Sequence, residues 1–427
     1  MVLANKDVRH YHTLLRAFRH RNFRLFLTGQ SLSLIGTWVQ QVTIGWLVYR
    51  LTGSVFLLGL TGFASQIPIL LLAPVAGVLS DKFCRRKILL VTQILALVQA
   101  LAMAYLTWRG LIQIWHVMVL AVAWGLITTF EIPARQSFMG QLVNDKADLP
   151  NAIALNSFIV NSARLIGPTI AGIAIPLFGE TICFLINGAS YVTIIVALLL
   201  IRVAPKESIR KNITNSFASL MDGFTYAFDF FPVRALLLLV GVASFMVLPY
   251  LVLMPIFAAE VFHGNAYTFG LLMAPAGLGA MLGNIYLASR KSVYGLCKIT
   301  MASAMIAGGA LMGFSQSHVF WVSMTLMTLV GFGVIVQVVS SNMVIQTLVD
   351  EDKRGRVMSL YSMAYLGMAP LGNLIAGSAA NYIGAPDTLL LGGLCYTVAA
   401  LIFARKLKLT LQLVEPVYVL RGVVGTR

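Results

Sequence analysis

The stretch Gly77–Leu90, GVLSDKFCRRKILL, places one acidic and several basic residues in a short gap between two strongly apolar segments. Residues 55–79 precede the gap and residues 88–107 follow it. Each segment can cross the hydrocarbon core of a bilayer, which takes about 20 apolar residues at about 1.5 Å per residue. The stretch is therefore predicted to be a short charged hairpin between two membrane helices.

The composition of the whole chain supports the same assignment. Hydrophobic residues make up 59% of the 427 residues and charged residues only 11%, whereas about a quarter of the residues of a soluble domain are charged. We therefore predict a polytopic membrane protein. The apolar segments predict twelve spans, at residues 23–49, 55–79, 88–107, 114–133, 150–176, 181–201, 235–259, 267–288, 297–315, 319–343, 356–382 and 388–405.

The net charge of +16 is explained by where Lys and Arg lie relative to these spans. All of the 31 Lys and Arg residues except Arg50, Arg109 and Arg164 lie on one side or at the adjoining helix ends. The positive-inside rule then predicts an even number of spans with both termini in the cytoplasm. Because topology accounts for the basic charge, nucleic acid is not an expected partner, whereas membrane lipids are.

The chain divides into two halves that repeat each other. We predict a cytoplasmic N-terminal segment at 1–22, a six-helix half at 23–201, a cytoplasmic linker with an amphipathic helix at 202–234, a second six-helix half at 235–405 and a cytoplasmic tail at 406–427. The repeat is visible as Gln141–Asp145 against Gln346–Glu351, and as GPTIAG at 167–172 against GNLIAG at 372–377. Two parallel repeats of this kind place a substrate between the halves near the midplane.

The sequence offers no pattern for cofactor, metal or enzymatic chemistry. The four cysteines, Cys84, Cys183, Cys297 and Cys395, show no C-x-x-C spacing and no nearby histidine. The chain also lacks the nucleotide-binding P-loop, the H-E-x-x-H zinc pair and the G-x-S-x-G nucleophile elbow. We therefore predict no cofactor, no metal site and no enzyme.

Three groups of residues carry a resemblance to a known superfamily. The Gly77–Leu90 loop resembles the signature G-x-x-x-D-[RK]-x-G-[RK]-[RK] between helices 2 and 3 of the major facilitator superfamily, with Cys84 in place of the second glycine. Gly167, Pro168 and Gly172 resemble the antiporter motif of its drug exporters. The segments 131–138, 151–157 and 353–359 resemble the bacterial branch that includes enterobactin exporters and macrolide efflux proteins.

This resemblance implies an all-α membrane protein with the major facilitator fold, in which twelve transmembrane helices form two six-helix halves around a central cavity. It also implies a secondary, proton-driven exporter of a small amphipathic molecule, such as a siderophore or a drug. Such a protein would work by alternating access in the bacterial inner membrane, and we expect a monomer. Three alternatives stay open at this point: a lipid or lysophospholipid translocator, an uptake permease, and a membrane sensor or assembly partner that does not transport.

Arg164 and Glu131 are the candidate proton-coupling residues. Arg164 is the basic residue placed well inside a span, on one helical stripe with Ser157, Asn161 and Pro168. Charged residues at this depth mark functional sites because burying them is expensive. Glu131, the carboxylate inside span 4, is its candidate partner. Two structural alternatives remain, namely a permanent ion pair and a contact of Glu131 with Arg135 one turn away.

The remaining candidates fall into a gate and a cavity. In the gate, Asp81 is expected to contact helix 11 near Arg356, and Arg85 and Arg86 to lie at the lipid headgroups, so that the loop latches the halves when the cavity faces outward. The gate candidates are Gly77, Asp81, Lys82, Arg85, Arg86, Arg135 and Arg356. The cavity candidates are polar or aromatic residues of the spans, namely Gln30, Thr37, Trp38, Gln41, Ser157, Asn161, Tyr250, Gln337, Ser341, Tyr361 and Tyr365.

Overall fold

The computed structural model describes residues 16–143, 145–202, 224–290 and 292–421, and within them it leaves out the side chains of Pro74, Val78, Asp81, Lys146 and Asp352. The described part of the chain is helical throughout its ordered elements and contains no β-strand. Nine of its helices are long and apolar enough to cross a membrane. The predicted all-α membrane fold is confirmed, and the helices are consistent with twelve crossings.

The helices of the first half follow the predicted spans closely. They are α1 (Arg21–Thr52), α2 (Val55–Lys82), α3 (Arg85–Trp108), α4 (Ile114–Leu142), and α5 and α6, the two arms of the helix Leu149–Leu200. This helix of 52 residues bends at Gly179, where φ is 77°. Glycine adopts such a backbone without steric cost, so the chain can reverse with almost no loop. The bend coincides with the break predicted between the fifth and sixth spans.

The second half contains helices that are interrupted by wider turns. Its elements are α7 (Phe231–Val261, with π-helical turns at Ala243–Val247 and Phe257–Val261), α8 (Ala266–Ala288), α9 (Leu296–Ser315), α10 (Phe320–Leu348), α11 (Glu351–Ser362 and Met368–Ile383, joined by a π-helical turn at Met363–Gly367) and α12 (Ala385–Arg405). Such turns are frequent at functional sites. Both π-interrupted helices, α7 and α11, carry tyrosines predicted to line the cavity.

Buried amides hold the first half together in a way that the sequence did not indicate. Gln40 of α1 donates to Gln99 of α3 at 2.9 Å, and Asn187 of α6 donates to Gln40 at 2.8 Å. All three side chains are buried. Helix association in lipid cannot draw on hydrophobic burial, so paired polar groups of this kind fix helix positions. The network is therefore the polar core of this half.

The two copies of the glycine repeat make equivalent contacts. A Cβ on Gly172 of α5 would lie 3.0 Å from the Cα of Gly270 in α8, and a Cβ on Gly377 of α11 would lie 2.7 Å from the Cα of Gly59 in α2. In both halves, small residues allow the backbones of helices from opposite halves to touch. The repeat seen in the sequence is thus a repeat of the interface between the halves.

The segment after the last span, which we predicted as a cytoplasmic tail, begins with a helix. Residues Leu407–Leu420 form α13, whose buried side chains are Thr410, Val414 and Tyr418. Arg421 follows it and donates to the carbonyl of Val349 at 3.0 Å. The predicted linker at 202–234 lies mostly outside the described residues: only 202 and 224–234 are described, of which 224–229 are helical and Phe231 begins α7.

Candidate functional site

The two ends of the bundle differ in how the halves meet. We call the end with the loops 83–84, 145–148 and 349–350 the basic end, and the opposite end the far end. At the far end, Tyr49 of α1 donates to Glu260 of α7 at 3.4 Å, and Trp46 of α1 stacks on Phe269 of α8 with ring centroids 6.4 Å apart. A Cβ on Gly77, in the basic-end part of α2, would instead meet nothing within 4 Å. The halves are thus in contact at the far end, whereas Gly77 faces open space at the basic end.

Arg164 lies on α5, midway between Leu149 and the bend at Gly179. Its guanidinium carbon sits 5.3 Å from the centre of the Trp38 ring of α1, which makes a cation–π contact. The Arg164 Nε is buried and has no hydrogen-bond partner. Among the described side chains, no carboxylate lies within ion-pair distance of it. The arginine is therefore held in place by an aromatic ring without being neutralised.

The cost of burying Arg164 is larger than the energy that its cation–π contact returns. Placing an arginine at the centre of a bilayer costs about 2.5–3.5 kcal/mol on insertion scales, and a cation–π contact returns about 0.5–2 kcal/mol. Trp38 therefore offsets only part of the cost of Arg164. The remainder can be met by the rest of the fold, by water in a cavity or by an anion that binds there.

Tyrosines of the second half face the same region. Tyr250 of α7 lies within electrostatic range of both Arg164 and Tyr365 of α11. Gly277 of α8 packs directly on the backbone of α5, since a Cβ there would lie 2.8 Å from the carbonyl oxygen of Arg164. Trp38 and Arg164 of the first half and Tyr250 of the second therefore lie near one another, and their place in the cavity stays a prediction.

The motif Gly167, Pro168 and Gly172 explains how α5 reaches this position. A Cβ on Gly167 would collide with the Cβ of Trp38, so glycine is what lets α5 approach α1 beside the cation–π contact. Pro168 has no N–H and leaves the carbonyl of Arg164 without its usual helical donor. Its own carbonyl approaches α8, because a Cβ on Gly270 would lie 2.5 Å from the Pro168 oxygen. The motif joins α5 to α1 on one side and to α8 on the other.

The expected ion pair between Glu131 and Arg164 is not formed in this structure. Glu131 Oε1 lies 3.4 Å from Arg135 Nη1, on the next turn of the same helix. The contact with Arg135 was the alternative considered from the sequence. It forms here because a partner one turn away on the same helix requires no movement of α5. Glu131 also lies within electrostatic range of Tyr191 of α6, which places it inside the first half.

The other predicted cavity residues divide into two groups. Gln41 is exposed and lies on the same face of α1 as Trp38, which is consistent with a cavity position. The buried group is sealed from solvent in this conformation: Gln337 donates to Ser341 at 3.3 Å, Tyr361 to the carbonyl of Val338 at 2.8 Å and Asn161 to the carbonyl of Ser157 at 2.7 Å, while Gln30 is 2% exposed. Thr37 is half-buried and donates to the carbonyl of Ser33 at 2.9 Å.

The charged hairpin that opened the sequence analysis is a loop of only two residues, Phe83 and Cys84. Cys84 has φ −61° and ψ 114°, a common backbone region for any residue, so no glycine is needed there. Arg86 was expected at the headgroups, but it donates to the carbonyls of Leu198 and Leu199 at 2.7 and 2.9 Å. It thereby satisfies free carbonyls at the end of α6, where a positive charge is favourable.

The other gate residues are placed less completely. The side chain of Asp81 lies outside the described part of the structure, so its predicted contact near Arg356 stays a prediction. Lys82 is exposed at the end of α2, whereas Arg85 and Arg356 are partly buried and engaged in interactions.

Two aspartates at the basic end tie flanking segments to the bundle. Asp148, before α5, lies 2.7 Å from Arg19 Nη2 and 2.9 Å from His20 Nε2, both in the segment before α1. The hydrogen bond from His20 lowers the pKa of the Asp148 carboxyl, and the charge of Arg19 lowers it further. Asp350, before α11, accepts from Tyr226 at 3.1 Å and from Arg421 at 3.4 Å. We call these the Asp148 clasp and the Asp350 clasp.

Comparison with known proteins decides the family. The family model described as transmembrane secretion effector matches residues 12–414. The chain belongs to this family of the major facilitator superfamily. The predicted superfamily, and the prediction of a transporter rather than an enzyme, are confirmed. This transporter therefore binds small-molecule substrates and spans the membrane several times.

Several characterised proteins are similar to this transporter along most of its length. The staphyloferrin A transporter of Staphylococcus aureus is 27% identical over 401 residues, covering 91% of this chain and 98% of the relative. The multidrug efflux pump Tap of Mycolicibacterium fortuitum is 25% identical, covering 83% and 88%. Macrolide efflux protein A of Streptococcus pyogenes is 20% identical, covering 88% and 94%.

A solved structure shares the fold. The bacterial homologue of the human lysosomal transporter Spinster, in an inward-facing and unoccupied conformation, superposes with a TM-score of 0.71 at 13% identity, over 94% of this chain and 98% of that one. The major facilitator fold is thereby confirmed.

The sequence missed the two clasps of this transporter. Asp148 and Asp350 lie in loops that the repeat already marked, but their partners Arg19 and Arg421 flank the twelve spans and looked like ordinary topogenic charges. The sequence did contain a signal, because each half has an acidic residue in a loop and a basic residue just outside its spans. For metals, the described residues contain no group of three His, Cys, Asp or Glu side chains that could hold an ion.

Proposed function

We propose that this transporter exports a small amphipathic molecule, of siderophore or drug type, from the cytoplasm across the bacterial inner membrane by alternating access. The proposal takes the basic end as cytoplasmic, as the placement of Lys and Arg favours, with both termini on that side. The observation that carries it is the closed far end together with the open surroundings of Gly77. A cavity that opens toward the basic end would receive its substrate from the cytoplasm.

The named relatives favour this class of substrate. One is a staphyloferrin A transporter and two are efflux proteins for macrolides or several drugs. We further propose that protons drive export through Glu131, which pairs with Arg135 when ionised and would release it when protonated. A single chain carries both halves of the cavity, so we propose a monomer as the working unit.

Transport in membrane vesicles tests the proposal. Inside-out vesicles that contain the protein should accumulate at least one compound of a panel of siderophores, antibiotics and lysophospholipids, and collapse of the proton gradient should abolish accumulation. The Glu131→Gln variant should lose gradient-driven accumulation. Glu415→Gln, the same change on exposed α13, is the matched control and should not. Accumulation only in right-side-out vesicles would instead identify an uptake permease, and accumulation of lysophospholipids alone would identify a lipid translocator.

A further inference from the structure

We propose that Arg164 is the anion-recognition residue of the substrate cavity, and that the exported molecule carries an oxyanion such as a carboxylate. This inference rests on the proposed function and names the chemistry of its substrate. It is carried by three observations: an arginine at mid-depth that has no counter-ion among the described residues, an internal repeat that lacks this arginine, and Tyr250 of the other half within its electrostatic range.

Comparison of α5 with its repeat α11 distinguishes residues that packing requires from a residue that it does not. Gly167 and Gly172 of α5 correspond to Gly372 and Gly377 of α11, and the four make equivalent backbone contacts. In this alignment the position of Arg164 is occupied by Ala369. Since the same packing is achieved in α11 with alanine, the interface between the halves does not require an arginine. The arginine is an addition to one half, at a depth where it is costly.

The geometry of Arg164 suits a bound anion. Trp38 holds the guanidinium by a cation–π contact at 5.3 Å and leaves its in-plane donors available. Nε is buried without an acceptor, and an oxyanion would supply one. Tyr250 of the second half lies within electrostatic range of Arg164, so a neutral hydroxyl group from that half is near the guanidinium. The subsite would thus draw one charged donor from the first half and a neutral donor from the second.

The charges around the site select against cations. Glu131, the carboxylate predicted inside span 4, is already paired with Arg135. Among the described side chains no carboxylate pairs with Arg164, so a cationic substrate would meet an uncompensated positive charge there. A carboxylate would neutralise Arg164 and recover the desolvation cost that Trp38 leaves in place.

Energy transfer from tryptophan to dansyl probes tests the inference on the full-length protein in nanodiscs. The probes share one fluorophore and differ in charge: dansyl-glycine is a carboxylate, its methyl ester is neutral, dansyl-phosphoethanolamine carries a phosphate and dansyl-cadaverine is a cation. We expect wild-type protein to bind dansyl-glycine at least about tenfold more tightly than the ester or the cation, as one charge-assisted hydrogen bond provides. Trp38→Phe should reduce the energy transfer, which places the probe beside Arg164.

Two substitutions examine Arg164 itself. Arg164→Met and Arg164→Gln should each lower the affinity for dansyl-glycine about tenfold and leave affinity for the ester within about twofold. Arg50→Gln, which removes an arginine paired with Glu180 at the far end, is the matched control and should change neither. Ester binding also reports that each variant is folded. A stronger response to dansyl-phosphoethanolamine than to dansyl-glycine would assign the anion to a phosphate, as in a lipid headgroup.

Any one of four results would overturn the inference. These are equal affinities of the wild-type protein for the carboxylate and its ester, tighter binding of the cation, absence of binding by either anion, and an unchanged charge preference in both Arg164 variants. The vesicle assay distinguishes failure of the anion-subsite inference from failure of the proposed function. Export of neutral or cationic compounds without an anion preference would remove only the anion subsite, whereas anion binding without any transport would remove only the export function.

Discussion

Substitution of Gly270 by alanine should open the far end of the transporter. Gly270 of α8 faces the backbone of α5, where a Cβ would lie 2.5 Å from the carbonyl oxygen of Pro168 and 2.6 Å from the Cα of Gly172. Real Cβ atoms essentially never approach within 3.0 Å of such atoms. Both neighbours are backbone and cannot rotate away, so the two helices have to separate by at least about 0.5 Å.

The size of the effect follows from the cost of overpacking. One added methyl group in a close-packed interface costs about 1–3 kcal/mol. The strain exists only in conformers with α5 and α8 in contact at the far end, so it favours conformers in which this contact is broken. A difference of this size shifts a two-state equilibrium by about 5- to 150-fold. Gly270→Ala should therefore populate a state open at the far end.

Spin-label distances measure this shift directly. Labels at Leu111, in the loop between α3 and α4, and at Val319, before α10, lie on exposed far-end segments of opposite halves. In a cysteine-free background in nanodiscs, the distance distribution should gain a longer component in Gly270→Ala. Gly309→Ala is the matched control, because the same methyl group on a membrane helix would meet nothing within 4 Å there. The reasoning is refuted if Gly270→Ala and Gly309→Ala give the same distribution as the parent protein.

Three further predictions concern the basic end and the proton step. Asp81→Asn should abolish or greatly slow transport while substrate affinity stays unchanged, and normal turnover would argue against a latch at this position. Glu131→Gln should retain exchange of substrate across vesicles without a gradient but lose gradient-driven accumulation; loss of both activities would point to a structural role. Asp148→Asn should lower the melting temperature at neutral pH, because the carboxyl bonded to His20 and Arg19 has a lowered pKa. The stabilisation from a carboxyl with a lowered pKa is complete above its ordinary pKa of about 3.8 and is lost as the pH falls below that value. The difference in melting temperature between the wild-type protein and Asp148→Asn should therefore narrow at acidic pH. A difference that stays constant would contradict the clasp.

Most of the fold could be predicted from the sequence because the bilayer imposes length, apolarity and charge asymmetry on each span. The hairpin at Phe83–Cys84 and the bend at Gly179 appeared as short polar or glycine-containing gaps between apolar segments. By contrast, α13 was missed because its leucines alternate at 407, 409, 411 and 413, which resembles a strand more than an amphipathic helix. Leu407, Leu411, Val414 and Tyr418 nevertheless recur at helical spacing, and Val414 and Tyr418 are buried against the bundle, so packing on one face selects the helix.

Individual pairings were predicted less well than positions. The sequence predicted Arg164 and Glu131 inside membrane spans, and both lie on long apolar helices, but their partners are Trp38 and Arg135. A helical stripe fixes which side chains share a face of one helix, whereas the contact between two helices depends on how closely they approach. For α5 that approach is set by Gly167.

Helix α5 carries both the proposed anion subsite and the far-end contact with α8, which connects substrate binding to closure of the far end. Gly167 holds α5 against Trp38, beside Arg164, and Gly172 holds it against Gly270 of α8 nearer the far end. On the basic-end side of Gly167, Gly277 of α8 packs on the backbone of Arg164 itself. A ligand that bridges Arg164 to the tyrosines of the second half would therefore pull on the helix whose other contacts keep the far end shut. Coupling of this kind needs no separate relay, because differential binding of one ligand to two arrangements of α5 and α8 is sufficient to shift their populations.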